Sequence, residues 1–129
     1  MSGRYYDNIA GFVTDVPDVR VRSSDAEFVL EDDDFDLRWT EEERSLRWFR
    51  VDGSKTVDVY AETLDKQDRQ RIAKIKRWAK RHGGLGKAIH ENPILAFDDG
   101  EVIDGTHRLV VALQQGLLSV TTLVAHRDS

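Results

Sequence analysis

Glu101-Val102-Ile103-Asp104-Gly105-Thr106-His107-Arg108-Leu109-Val110-Val111-Ala112-Leu113-Gln114-Gln115-Gly116 decides the fold. Three apolar-leaning residues read as a short strand, Asp104-Gly105 as a tight turn, and Leu109, Val110, Ala112 and Leu113 as the inward face of a helix over 106–115. Gly116 stands where a helix C-cap favours glycine. A helix start offers unpaired N–H groups and the positive end of a dipole, and so attracts anions. His107 and Arg108 add an imidazole and a planar guanidinium fork at that same end. The expected ligand is a nucleotide or another phosphorylated molecule.

Working outward, Pro93 to Phe97 reads as a strand, and Asp98-Asp99-Gly100 as the hairpin turn that joins it to Glu101-Val102-Ile103. Val120 to Val124 is a β-branched strand after the helix. Upstream, Ile72, Ile75, Trp78 and Ala79 recur at helical spacing and predict a helix over 65–82, capped by Thr63 or Asp65 and ended by Gly83-Gly84. Residues 83–92 read as a loop. Thr56-Val57-Asp58-Val59-Tyr60 alternates like a strand, and Asp52-Gly53 like a turn. Thr40-Glu41-Glu42-Glu43 matches a capping box, which predicts a short helix over 41–49. Phe12-Val13, Val19 to Val21 and Glu27 to Leu30 look like strand pieces between turns. Alternating strands and helices with short connections make an α+β domain with a small mixed sheet. The expected division is an N-terminal extension over 1–55, with short strands and one short helix, packed on a domain over 56–129.

The chain has 129 residues and no cysteine, which is enough for one core and excludes a disulfide framework or catalytic thiol. No apolar run reaches membrane-spanning length and Met1 to Tyr6 lacks a signal-peptide core, so no membrane partner and a cytoplasmic location are expected. Charge is uneven: residues 66–87 hold nine lysines and arginines against one acid, Asp68, for a net +8, and the total of −5 leaves −13 elsewhere. The acids are densest at Glu31 to Asp34 and Asp36. Such asymmetry marks either a polyanion-binding face or a solvated face balanced within the chain.

The order of helix 65–82, hairpin 93–103, Val102-Ile103-Asp104-Gly105-Thr106-His107-Arg108, helix with Ala112 and Gly116, and strand from Val120 resembles the ParB/sulfiredoxin-like superfamily over residues 56–125. That resemblance implies the superfamily's small mixed sheet with flanking helices and a nucleotide-phosphate site. Its members include CTP-binding partition proteins, ATP-dependent sulfiredoxins, kinases acting on free serine and proteins described as nucleases. Thr106 stands where sulfiredoxin carries its reactive cysteine, which removes sulfinic-acid reduction. His107 stands where partition proteins carry a second arginine. No helix-turn-helix is expected after the matched region.

On this reading Asp104, Gly105, Thr106, His107 and Arg108 bind nucleotide phosphate, with Thr106 as N-cap and His107 as phosphate donor or general acid. Asp104 would ligate Mg2+ with the phosphates of ATP or CTP, and Glu62 would be the base for an acceptor. NTP hydrolysis or phosphoryl transfer to a small acceptor follows. The alternative is a DNA- or partner-binding module of a plasmid, phage or defence system, with Lys74, Arg77, Lys80 and Arg81 on nucleic-acid phosphates. A nuclease would need a carboxylate metal cluster that the sequence does not assemble. His82, His90 and His126 lack ligand spacing. Trp78 reads as core, and Trp39, Trp48 and Phe49 as core or as a stacking surface.

Overall fold

The computed structural model describes residues 5–6 and 37–127. The strand pieces expected at 12–30 and the acidic residues 31–36 lie outside them. The elements are β1 (Tyr5–Tyr6), β2 (Leu37–Ser45), α1 (Val57–Ala61), α2 (Lys66–Arg81), α3 (Leu85–Glu91), β3 (Ile94–Phe97), β4 (Val102–Asp104), α4 (Thr106–Gln114) and β5 (Ser119–Arg127). One mixed sheet runs β1-β2-β5-β3-β4. β3 and β5 pair parallel, while the hairpin β3–β4 and the pairs β2–β5 and β1–β2 are antiparallel. The α+β class is as expected.

The hairpin turn closes with Gly100 N–H on Phe97 O at 2.9 Å, and Gly100 takes φ +92°. A side chain there would strike the main-chain carbonyl of Trp48, so the position requires glycine on two counts. The chain after β2 then runs along the outer side of the hairpin. Arg50 N–H bonds Gly100 O at 2.8 Å and Val102 N–H bonds Arg50 O at 2.9 Å, which covers that sheet edge.

Helix α2 begins as its sequence suggests. Asp65 accepts the Asp68 N–H at 2.8 Å, and Asp68 accepts the Asp65 N–H at 3.0 Å, a reciprocal capping box. It ends with Gly84 N–H on Ala79 O at 2.8 Å while Gly83 is left-handed at φ +84°. Ile72 and Ala79 are buried, and Ile75 and Trp78 are half-buried against the core. α2 and α1 both pack on α4, whose Leu109, Val110, Val111 and Ala112 are fully buried. The core joins these helices to Ile94, Ala96 and Val120 of the sheet and to Leu46, Phe49 and Val51 after β2. Phe49 is thus core, in edge contact with the Trp48 ring at 5.1 Å.

Four local expectations are corrected. Residues 41–45 are strand, not helix: β2 pairs with β5 over nine positions from Leu37↔Arg127 to Ser45↔Ser119. The Thr40 hydroxyl, read as a cap, bonds the Glu42 carboxylate at 2.5 Å and lies 2.8 Å from His126 Nε2. Residues 57–61 are helix rather than strand, since Val57 alone is buried there and Thr56 stands at the N-cap. Residues 85–91 are helix rather than loop, with Leu85, Ala88 and Ile89 buried at i, i+3 and i+4. The N-cap of α4 is Gly105 at φ +119°, so Thr106 is the first helical residue and not the cap.

Candidate phosphate turn and basic helix

Strand β4 delivers Asp104 and α4 begins at Thr106, so the turn forms as the sequence suggests. Its side chains, however, face inward. Arg108 is buried and donates to the main-chain oxygens of Asn92 at 2.5 Å and Pro93 at 3.3 Å, and to Asp104 Oδ2 at 3.3 Å. Asn92 is the C-cap of α3, and its amide donates to Ala88 O at 3.1 Å. The guanidinium therefore caps carbonyls at the end of α3 and the start of β3 while pairing with Asp104. Burial pushes the Arg108 pKa down from its ordinary value, and the adjacent Asp104 acts against this. The carboxylate expected to hold Mg2+ is itself buried and engaged with Arg108.

Gly105 is held open for packing. A Cβ there would sit 2.6 Å from Ile94 Cδ1 and 3.1 Å from Arg108 Nη2. Its bare backbone is thus taken up by the neighbouring strand and guanidinium. Asp104, Gly105 and Arg108 together clip the α3–β3 junction to the β4–α4 junction.

His107 faces another way. Its Nε2 lies 2.8 Å from Asp68 Oδ1, and Tyr60 OH donates to the same oxygen at 3.0 Å. The Tyr60 and His107 rings meet edge to face at 6.2 Å. Hydrogen bonding from His107, then from the Asp65 backbone, holds the Asp68 carboxyl down to about 2. Burial, then the Asp68 hydrogen bond, pushes the Tyr60 hydroxyl up to about 12. An ionised carboxylate beside the imidazole offsets the attraction His107 would offer a phosphate. Thr106 is half-buried at the first helical position. Glu62 is exposed at the C-cap of α1, and no hydrogen bond or ion pair joins it to the 104–108 turn among the described residues. Among the described residues no group of three or more His, Asp or Glu side chains could hold a metal ion.

Helix α2 differs in character. Lys66, Arg69, Arg71, Lys74, Lys76, Arg77, Lys80 and Arg81 are all exposed. No ion pair joins any of them to a carboxylate among the described residues. Arg69 donates to Leu64 O at 3.0 Å, a neutral acceptor that leaves its charge unbalanced. Lys87, just beyond, folds its stem over Gly83, its Cδ 3.1 Å from where a Cβ on that glycine would stand. Lys74, Arg77, Lys80 and Arg81 thus lie where the sequence places them, on the solvent face of one helix.

Sequence reading singles out neither Tyr60, Asn92 nor the partnership of Asp68. Asn92-Pro93 carried a usable signal, because asparagine before proline suits a helix end. Tyr60 and Asp68 meet His107 only through the tertiary packing of α1, α2 and α4.

No protein-family model matches this chain, and no curated protein matches it. Among solved structures it is similar to a Pnob8-like ParB-N domain, at TM-score 0.40 and 22% identity over 72% of this chain and 32% of that chain. The chain thus spans about a third of that chain's length. The α+β class stands on the mixed sheet and its helices without that likeness. No helix among the described residues is long and apolar enough to cross a membrane.

Proposed function

We propose that this domain is a nucleic-acid-binding module that grips the phosphate backbone through α2. One observation carries the reading: eight exposed lysines and arginines on a single helix, none paired with a described carboxylate. Packing such like charges together without counter-ions costs energy through self-repulsion. A polyanion removes that cost and releases its own condensed counter-ions.

Nucleotide binding with phosphoryl transfer at 104–108 ranks second. It would require Arg108 to leave two carbonyls and Asp104, and His107 to be shared with Asp68. What favours it is that Thr106 and His107 keep partial exposure at the start of a nine-residue helix whose N-cap has no side chain.

Fluorescence anisotropy with labelled duplex DNA at two salt concentrations tests the first reading. Four or five phosphate contacts give a slope of log affinity against log salt of about −4. Binding that ignores salt, or that survives Lys74→Glu with Lys80→Glu unchanged, overturns it. ATP and CTP with Mg2+ in a thermal-shift assay test the second reading, which fails if neither moves the transition.

A further inference from the structure

The exposed face of α2 is patterned as well as charged. With 3.6 residues per turn, positions i, i+3 and i+7 align. Gln70, Ala73 and Arg77 occupy such a line, and all three are exposed. The buried Ile72 and Ala79 lie on the opposite side of the helix. Arg69, Lys76 and Lys80 flank the line on one side, at i, i+7 and i+11, and Lys74 and Arg81 on the other, at i and i+7. Lys66, four residues before Gln70, begins the same line, so the centre carries an ammonium at its N-terminal end, then an amide, a methyl and one guanidinium, between two rails of positive charge.

We infer that α2 reads duplex DNA from the major groove, with Gln70, Ala73 and Arg77 on base edges and the flanking cations on the two phosphate walls. This rests on the backbone-binding reading above and adds sequence selectivity to it. A B-form major groove is about 12 Å wide and admits one α-helix. The 16 residues of α2 span about 24 Å, the length of several base pairs. The central side chains suit the groove's chemistry. The amide of Gln70 can bridge the N6 and N7 edge of adenine. The fork of Arg77 can bridge O6 and N7 of guanine, and Ala73 can pack on a thymine methyl. A purely electrostatic surface has no need of the uncharged Gln70-Ala73 pair between Lys66 and Arg77. The small side chain of Ala73 also lets the helix axis approach the base pairs closely. Single-stranded nucleic acid offers neither the paired walls nor the fixed edge pattern, and the deep, narrow major groove of an RNA duplex excludes the helix.

The full chain is incubated with a pool of duplexes randomised over ten positions, and bound DNA is recovered and sequenced. The expected result is enrichment of a short motif containing a guanine and an adenine. Arg77→Ala is expected to abolish the guanine preference and weaken the enriched site about tenfold relative to random duplex. Lys76→Ala should instead weaken all sequences equally and reduce the salt slope by about one. Salt-dependent binding without enrichment overturns groove reading and leaves backbone binding standing. So does single-stranded DNA or duplex RNA bound as tightly as duplex DNA. Absence of salt-dependent binding overturns both. Thermal melts of each variant exclude loss of fold, since every substituted side chain is exposed.

Discussion

His107 Nε2 lies 2.8 Å from Asp68 Oδ1, and this one contact ties the first turn of α4 to the first turn of α2 across 39 residues of chain. Asp68 also closes the capping box of α2. Asp68→Ala therefore removes a cap and a charged hydrogen bond together. The expected cost is about 2 kcal/mol, read as a lower urea midpoint with an unchanged slope.

The same carboxylate sets an acid limit. Its folded pKa, about 2, lies below the ordinary 3.8. A depressed carboxylate pKa contributes stability that is present above the unfolded value and lost as pH falls through the folded one. Thermal stability should therefore drop between about pH 4 and pH 2, where the unfolded chain binds this proton while the folded protein does not. Asp68→Asn should flatten that part of the profile. An unchanged profile would show that other carboxylates govern acid unfolding.

Arg108 is predicted to be a structural residue first. Arg108→Ala takes the guanidinium from the buried Asp104 carboxylate and from two main-chain carbonyls, at a cost of about 3–5 kcal/mol. Arg108→Lys recovers only part, because an ammonium cannot reproduce the fork. Pairing Arg108→Met with Asp104→Asn should restore more than either change alone, as a double-mutant cycle in urea will read. Equal stability of Arg108→Ala and wild type, with loss of an ATP- or CTP-induced shift, would favour the nucleotide reading.

Three glycines with positive φ provide a graded series. Gly53→Ala meets nothing within 4 Å and should cost only the backbone strain, about 1 kcal/mol. Gly105→Ala adds a clash with the flexible end of Ile94, raising the cost to about 2–3 kcal/mol. Gly100→Ala drives a methyl into the immovable Trp48 carbonyl and should be the most damaging. Melting temperatures falling in another order would contradict the packing described for the turn.

Much of the chain from residue 65 onward is legible in its sequence because local signals agree there. Asp65 and Asp68 cap α2, Asp98 to Gly100 turn the hairpin, and a periodic apolar face defines α4. The failures arise where local preference and tertiary demand diverge. Glu41-Glu42-Glu43-Arg44 favours helix, yet nine pairings with β5 hold it extended. Val57 and Val59 alternate as in a strand, yet they sit in a short helix packed on α4. Leu85, Ala88 and Ile89 did carry helical spacing, hidden among glycines.

The candidate site divides in the same way. The turn's position was legible from Asp104-Gly105, but the inward aim of Arg108 was not. Its partners are carbonyls of Asn92 and Pro93, and carbonyls leave no trace in side-chain identity. The cationic face of α2 was legible because charge and helical period are both written in the residues themselves.

β5 occupies the middle of the sheet, between β2 and β3, yet is made after both. β2 pairs with it across as many as 90 positions, from Leu37 to Arg127. During synthesis on the ribosome, β2 and β3 must therefore wait with exposed edges until β5 emerges to bridge them. Such long-range pairing slows folding and leaves the nascent chain open to aggregation in the interval.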